Sequence, residues 1–256
     1  MVPFYNPGTV VRSTIERAAT ALAAAGAAAE IIAVCDGATD GSLASLEGLL
    51  PDVLRTVVLE VNRGKGYAVR AGMAQAAGRL VGFIDADGDI APEVLADFVR
   101  RADATGADIL FGSKRHPGAQ PHAPLVRRLS SSAYRLLVRA LFRLGVPDTQ
   151  TGVKLLRAEV AAGVLPDMVE DRYAFDLELF VLARQLGFRH FLEVPVTVDK
   201  QYTSTISVGA ARTIVGDTLK IFWRFRVRRS AARRQPGQVH RVDAPGRVPD
   251  EDVDPR

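Results

Sequence analysis

The sequence predicts an α/β fold, with a mostly parallel sheet covered by helices on both faces. From residue 1 to residue 113, short apolar runs typical of buried strands alternate with segments of helical periodicity. Acidic and glycine-rich segments follow these strands directly, and ligands bind at that edge of a parallel sheet. Such strands are predicted to pair in parallel, because each crossover helix returns the chain to the same end of the sheet.

The first strand has only Met1–Phe4 before a turn, so we expect that it is stunted or that the protein begins upstream of Met1. The further strands predicted in this half are Ile31–Val34, Thr56–Val61, Leu80–Ile84 and Ile109–Ser113. The predicted helices are Thr9–Gly26, Ser42–Leu50, Gly66–Ala77 and Pro92–Thr105, the last with proline in its first turn.

The pattern changes after Lys114, where residues 115–124 have the prolines and glycine of a loop. The later predicted elements are helices Leu125–Leu144, Phe175–Leu186 and Ile206–Arg226, and a strand around Phe191–Val198. We therefore divide the chain into a main α/β domain (1–205), an amphipathic basic helix (206–229) and a disordered tail (230–256) rich in Pro, Gly, Arg and Asp.

Composition indicates a protein of a reducing compartment. The chain has 256 residues, 48% of them hydrophobic, which is enough for a large core. Its one cysteine, Cys35, lies in an apolar run, which indicates a buried strand thiol and excludes a disulfide within the chain. No run approaches the roughly 18 apolar residues of a spanning helix, and no signal peptide is visible. We expect a cytoplasmic protein, peripheral on the cytoplasmic face of the membrane.

Four conspicuous segments each follow a predicted strand. They are Pro3–Asn6, Asp36–Gly41, Asn62–Gly66 and Asp85–Asp89. Since the carboxyl ends of parallel strands share one edge of the sheet, the four segments should lie together. Each is weak as a single signal, but their occurrence in this order is specific.

Asp85, Asp87 and Asp89 form an alternating acidic triad. Three such carboxylates repel one another unless a cation neutralises them, and Mg²⁺ or Mn²⁺ prefers oxygen ligands alongside substrate phosphates. A calcium EF-hand is excluded, because Gly88 separates the second and third acids and Ala96 stands where that loop needs glutamate. The alternative is a solvated turn before the next helix; we favour the metal site.

The second and third segments suit a nucleotide. Asp36 could accept a hydrogen bond from a base or ribose, and Gly64 and Gly66 permit close backbone approach. Lys65 adds positive charge at the N-terminus of a helix, which favours anions. The alternative is ordinary turn chemistry, since Asp and Gly are the usual turn residues. No P-loop sequence occurs in the chain.

Together these segments resemble the family-2 glycosyltransferases, which have the Rossmann-like GT-A fold. The later segments Asp148–Lys154, Phe175–Leu179 and Glu193–Val196 resemble the dolichyl- or polyprenyl-phosphate hexose synthases in particular. The resemblance implies transfer of a hexose from a nucleotide sugar, such as GDP-mannose or UDP-glucose, to a polyprenyl phosphate. It also implies Mg²⁺ or Mn²⁺ as cofactor.

The resemblance implies a role for each matching residue. The metal ligands would be Asp85, Asp87 and Asp89, and the donor nucleotide would contact Pro3, Tyr5, Asn6, Asp36, Lys65 and Asp85. The candidate catalytic residues are Asp87, Gln150, Asp171 and Asp176. The acceptor phosphate would be bound by Arg115, Arg128, Ser132 and Lys200. The chain departs from the family at Cys35–Asp36, where two acids are usual, so one polar contact with the donor is in doubt.

The choice of acceptor depends on the chemistry of its nucleophile. A phosphate is already anionic at neutral pH, whereas a sugar hydroxyl needs a general base such as Asp171 or Asp176. We favour the phosphate, and we keep open transfer to a hydroxyl in polysaccharide or cell-envelope glycan synthesis. A non-catalytic nucleotide-binding module is a further alternative. A nucleotidyltransferase fits less well, because no Gly-rich basic loop follows the first strand.

The last predicted helix combines apolar and aromatic residues with an arginine cluster, including Trp223, Phe225 and Arg226. Such a pattern favours peripheral binding to an anionic membrane surface. The alternative is that the apolar face packs on the main domain. We expect no nucleic-acid partner.

Overall fold

The computed structural model describes residues 1–113, 134, 136–142, 144–146, 149–197 and 208–232; the side chains of 208–212 and 227–232 lie outside this description. Its strands are β1 Val2–Phe4, β2 Ile31–Asp36, β3 Leu54–Leu59, β4 Leu80–Ile84, β5 Ile109–Ser113, β6 Val153–Arg157 and β7 Phe191–Pro195. Its helices are α1 Val10–Ala24, α2 Lys65–Met73, α3 Val94–Thr105, α4 over residues 134 and 136–142, α5 Ala158–Val164, α6 Phe175–Gln185 and α7 Val208–Ala232.

The strands form two sheets that meet between β1 and β4. One sheet has the order β1-β2-β3, all parallel, and the other has the order β4-β6-β5-β7. The Ile84 N–H donates to the Met1 carbonyl at 3.1 Å, and the Met1 amino group donates to the Gly82 carbonyl at 2.6 Å. This is the parallel pattern. The combined order is therefore β3-β2-β1-β4-β6-β5-β7.

Side chains of β2 alternate between two apolar cores. Ile31, Ala33 and Cys35 belong to the core that includes residues of α1 and α3, whereas Ile32 and Val34 pack with Ala68 of α2. All six residues of β2 are buried, as expected for a strand covered on both faces. The predicted α/β class, with helices on both faces of the sheet, is confirmed.

The structure corrects the prediction of a helix over Ser42–Leu50. Only a 3-10 turn, Ala44–Leu46, forms there. Gly41, Gly48 and Leu50 have positive φ angles of 80°, 67° and 45°, which no α-helix accommodates. The segment is therefore a series of turns leading into β3.

The prediction missed β6 and α5. Strand β6 runs antiparallel to both of its neighbours, β4 and β5, in an otherwise parallel arrangement. Its reversed direction brings its first residue, Val153, opposite Ile84, the last residue of β4. The turn that precedes β6 therefore reaches the edge at which β4 ends.

The chain divides into two compact units, Met1–Phe222 and Trp223–Arg256. In the first unit, α7 packs on α4: the Tyr134 hydroxyl lies 3.1 Å from Thr218 Oγ1, and the Phe142 and Phe222 rings meet edge to face at 5.9 Å. In the second unit the helix continues to Ala232, slightly beyond the predicted start of the tail. None of the described helices is both long enough and apolar enough to cross a membrane.

Candidate active site

The site lies where β2, β3 and β4 end and the turn before β6 begins. The Asp85 N–H donates to the Gly152 carbonyl at 2.9 Å. A Cβ at position 152 would overlap the Asp85 carboxylate, so only glycine allows this approach. Two motifs that are far apart in the sequence are thus in direct contact, the segment Thr149–Gly152 and the acidic segment Asp85–Asp89.

Lys65, the first residue of α2, is paired with Asp85. Its Nζ lies 2.5 Å from Asp85 Oδ1 and 5.7 and 5.8 Å from the ring centroids of Phe83 and Phe175. Burial alone would lower the pKa of Lys65, but the Asp85 and Asp176 carboxylates outweigh it and raise the pKa. Lys65 is therefore a firmly charged ammonium group at the acidic edge of the site.

Asp87 and Asp89 lie in the loop after Asp85, which is fixed by a hydrogen bond from α1. The buried Thr14 hydroxyl donates to the Ala86 carbonyl at 3.2 Å, and the Asp89 N–H donates to Asp87 Oδ1 at 3.0 Å. Loss of surrounding water and the negative charges of Asp85 and Asp89 raise the pKa of Asp87. This carboxylate therefore lies in negative potential that a cation would relieve.

Asp36 has a different contact from the one predicted. It is 3% exposed, and its two oxygens accept the N–H groups of Arg63 and Gly64, each at 2.8 Å. Gly37 has a φ of 68°, and a Cβ there would lie 2.5 Å from the Asn62 nitrogen. In this structure Asp36 anchors the loop that presents Lys65, and its predicted contact with a base or ribose stays a prediction.

The predicted nucleotide contacts of the first segment differ in accessibility. Pro3 is buried in β1, whereas Tyr5 is 52% exposed. Asn6 has a φ of 50° and accepts the Thr39 N–H at 2.7 Å, and Asp40 accepts the Gly8 N–H at 2.7 Å. Asn6 and Asp40 therefore tie two of the four segments together, and Tyr5 is the side chain open to a ligand.

Asp176 forms a buried ion pair that the sequence did not predict. Lys154 Nζ lies 2.5 Å from Asp176 Oδ1 and donates to the Thr151 carbonyl at 2.9 Å; the two side chains are 0% and 5% exposed. Burial raises the pKa of Asp176, and the charges of Lys154 and Lys65 oppose that rise. Lys154 thus connects the start of α6 with the turn beside Asp85.

Asp171 lies against the loop that contains Lys65. It forms an ion pair with Arg70, and its carbonyl accepts the Tyr67 N–H at 3.2 Å. A Cβ at Gly64 would overlap that carbonyl. The glycine is therefore required by packing within the protein, a reason that differs from the predicted approach to a phosphate.

Glu178, in α6, is a fully buried acid. It accepts the N–H groups of Val169, at 3.1 Å, and Glu170, at 2.8 Å. The segment before Asp171 is therefore fixed by α6. Gln150, in contrast, is exposed in the turn before β6.

A family model described as glycosyl transferase family 2 matches residues 1–163, well over half of the chain. The protein belongs to this family. Its match spans β1 to β6, so the acidic segment and the turn beside it both lie within the family's domain. The family predicted from the sequence motifs is confirmed.

Relatives of this family-2 chain include dolichyl-phosphate beta-glucosyltransferases. The Dictyostelium discoideum protein is 29% identical over 170 residues, 62% of this chain and 51% of that protein. The Trichomonas vaginalis ALG5A protein is 29% identical over 213 residues, 78% of this chain and 65% of that protein. The mouse protein is 33% identical over 61% of this chain and 52% of its own length. The chain thus spans between half and two thirds of these relatives.

Solved structures show the same fold. Glucosyl-3-phosphoglycerate synthase from Mycobacterium tuberculosis, solved with UDP, superposes with a TM-score of 0.66 at 19% identity, over 86% of this chain and 78% of that one. The same synthase has also been crystallised with Mn²⁺, UDP-glucose and phosphoglyceric acid. The likeness confirms the predicted GT-A fold.

The residues present fit a divalent cation held jointly with a substrate. Among the described residues, no three His, Cys, Asp or Glu side chains converge as a complete metal site. The three predicted ligands therefore do not form a complete metal site in this structure, and one oxygen of Asp85 is paired with Lys65. Two hard carboxylates plus donor phosphates are nevertheless a usual ligand set for Mg²⁺. Burial and the neighbouring carboxylates raise the pKa of Asp87, so a cation would stabilise its charged form.

The four predicted acceptor residues, Arg115, Arg128, Ser132 and Lys200, lie outside the described residues. Their roles stay predictions. The predicted catalytic residues are distributed around the described site: Asp87 and Gln150 are exposed, Asp176 is buried, and Asp171 borders the Lys65 loop.

Proposed function

We propose that this protein is an inverting, metal-dependent hexosyltransferase that transfers a hexose from a nucleotide sugar to a polyprenyl or dolichyl phosphate. The observation that carries the proposal is the contact between Asp85 and Gly152, which joins the acidic donor segment to the turn resembling that of the hexose synthases. Of the two predicted donors, UDP-glucose is favoured over GDP-mannose, because the relatives are named as beta-glucosyltransferases.

The chain's own groups suit departure of a nucleoside diphosphate. Asp85 and Asp87 would hold the cation, which when bound supplies positive charge to the leaving diphosphate. Lys65 brings a second positive charge to the same edge, and Asp36 fixes the backbone that carries it. Tyr5 is exposed beside them and available to a base or ribose.

The candidate general bases Asp171 and Asp176 differ in accessibility. Asp176 is 3% exposed and paired with Lys154, and Asp171 is paired with Arg70. A sugar hydroxyl would need an accessible carboxylate to take its proton, whereas a phosphate needs none at neutral pH. The Asp171 side chain is 40% exposed, so only Asp176 is withdrawn from a hydroxyl acceptor. The preference for a lipid phosphate is supported by the relatives, which are named as dolichyl-phosphate beta-glucosyltransferases.

Product analysis with a panel of donors tests the proposal. Purified protein is incubated with labelled UDP-glucose or GDP-mannose, Mn²⁺, and either a polyprenyl phosphate or an oligosaccharide acceptor. We expect a labelled, lipid-linked hexose from UDP-glucose, and loss of at least about 100-fold in turnover in Asp85→Asn and Asp87→Asn. Transfer only to the oligosaccharide, or binding of donor without any transfer, would instead support the hydroxyl acceptor or the non-catalytic module.

The predicted acceptor arginines can be tested in the same assay. Arg115→Ala and Arg128→Ala should raise the KM for polyprenyl phosphate far more than the KM for the donor, because guanidinium groups pair with phosphate oxygens. Equal changes in both KM values would show that these arginines do not bind the acceptor.

A membrane surface is the proposed place of the reaction. In the first unit, α7 exposes Val215 and Leu219, one turn apart and 38% and 41% accessible; in the second unit Trp223 is 62% exposed. Exposed apolar side chains with neighbouring arginines suit the lipid headgroup layer. The alternative was that the apolar side of α7 packs on the domain. This holds for Ile214 and Ile221, which are buried.

Flotation with vesicles containing phosphatidylglycerol tests the membrane proposal. The protein should float at low salt and dissociate at high salt, and Leu219→Ser should bind several-fold more weakly, because less apolar surface enters the headgroup layer. Val58→Ser is the matched control, since Val58 is 56% exposed on β3. Sedimentation of the unmodified protein away from anionic vesicles would contradict peripheral binding.

A further inference from the structure

Lys65 lies in a loop whose backbone is held by hydrogen bonds on both sides of it. Asp36 accepts the N–H groups of Arg63 and Gly64, and the Asp171 carbonyl accepts the Tyr67 N–H. The backbone on both sides of Lys65 is therefore anchored. Its side chain, a compact charge on a four-carbon stem, can change partner without any movement of the loop.

Asp85 is enclosed on two sides. Its Oδ1 pairs with Lys65 Nζ at 2.5 Å, while its carboxylate packs directly against Gly152. A cation that binds Asp85 must therefore compete with the Lys65 ammonium group for the same oxygen.

Among the described carboxylates that attract Lys65, Asp85 contributes most and Asp87 least. Asp176 contributes attraction, but that side chain already contacts Lys154 at 2.5 Å. Lys65 stands at the first position of α2, where the helix N-terminus attracts anions. An incoming diphosphate at this point would give the ammonium group a new partner.

We infer that Lys65 is a resident counter-cation for Asp85, which the divalent cation displaces only when a nucleoside diphosphate arrives to receive the lysine. This inference rests on the proposed function and goes further, since it makes the binding of metal and of nucleotide mutually dependent. Because coupling between two ligands is reciprocal, the nucleotide strengthens metal binding by the same factor as the metal strengthens nucleotide binding. Without a nucleotide, the site would therefore bind the divalent cation only weakly.

Titration with Mn²⁺, followed by the electron paramagnetic resonance signal of the free ion, tests the inference without any turnover. Lys65→Met and Lys65→Gln should each bind Mn²⁺ about tenfold more tightly than the unmodified protein when no nucleotide is present, because a competing charge has been removed. The factor by which UDP strengthens Mn²⁺ binding should fall about tenfold in the same variants.

Arg63→Met is the matched control. Arg63 is a cation two residues away in the same loop, but it lies over the Tyr67 ring at 3.8 Å and its Asp36 contact is through the backbone N–H. Its loss should leave nucleotide-free Mn²⁺ affinity unchanged within about twofold, which separates competition at Asp85 from a general change of charge. Circular dichroism and thermal melting confirm that each variant is folded.

The outcomes separate this inference from the function on which it rests. If the unmodified protein binds Mn²⁺ with UDP but neither Lys65 variant gains nucleotide-free affinity, the counter-cation role is wrong and the proposed function stands. If the gain persists when Asp85→Asn is added to Lys65→Met, the extra Mn²⁺ is bound elsewhere and the inference is also wrong. If neither UDP nor GDP promotes Mn²⁺ binding to the unmodified protein, both are overturned.

Discussion

The buried pair of Lys154 and Asp176 should contribute strongly to stability, and Lys154→Met measures this. The two side chains are 0% and 5% exposed and 2.5 Å apart, so the substitution leaves a carboxylate in the interior without its main counter-charge. Removal of one partner of a buried pair typically costs about 3–5 kcal/mol. For a domain of this size, we therefore expect a melting temperature roughly 6–20 °C lower.

The loss of stability in Lys154→Met should become smaller as pH falls. Burial already raises the pKa of Asp176, and loss of Lys154 raises it further. A carboxyl group whose pKa is higher in the folded state favours folding when it is protonated, and that stabilisation is lost as pH rises through the folded pKa. The difference in stability between Lys154→Met and the unmodified protein should thus narrow as pH falls toward the pKa of an unfolded aspartate.

Urea denaturation at several pH values measures both effects, and a double variant provides the control. Lys154→Met combined with Asp176→Leu replaces both charges by apolar groups and should return to within about 1–2 kcal/mol of the unmodified protein. If the single variant loses less than about 1 kcal/mol, or if the double variant is as unstable as the sum of the two single ones, the pair does not stabilise the fold as we argue.

Three further substitutions test other parts of the site. Asp87→Asn should abolish UDP-dependent Mn²⁺ binding yet raise the melting temperature by roughly 1–2 °C, because repulsion that solvent only partly screens is removed; calorimetry that shows destabilisation would contradict this. Gly152→Ala should displace the Asp85 carboxylate and weaken Mn²⁺·UDP binding at least about tenfold with an unchanged circular dichroism spectrum; unchanged affinity would refute the close contact. Glu178→Gln should lower the free energy of unfolding by about 1–2 kcal/mol, because a neutral amide accepts the Val169 and Glu170 N–H groups less strongly than a carboxylate does. An unaltered midpoint in urea denaturation would show that these hydrogen bonds do not stabilise the fold.

The sequence predicted the parallel strands and the edge of the site because both depend on local patterns. The burial of β2 on both faces follows from an apolar run, and Asp85 comes directly after β4, where the next apolar run stops. Strand β6 could not be recognised in this way. Lys154 interrupts its apolar run, and its antiparallel direction depends on partners, β4 and β5, that lie far away in sequence.

The buried contacts of the site's charged residues were not predicted, for a related reason. Lys154, Asp176 and Glu178 are charged residues within apolar segments, and a charge in such a segment usually lies on a solvated face. Their presence in segments that are otherwise buried was a usable signal, because a buried charge requires a partner. The sequence does not say which partner, and Asp36 shows the same limit, since its two loop N–H donors belong to another segment.

The insertion of β6 between β4 and β5 has a consequence for synthesis on the ribosome. Strands β4 and β5 are translated first, and the strand that fills the gap between them follows only after roughly forty further residues. Until then both strands carry edges with unpaired backbone groups, which are open to pairing with other chains. Closure of this sheet is therefore a late, long-range step, during which a chaperone that shields strand edges would protect the nascent chain from aggregation.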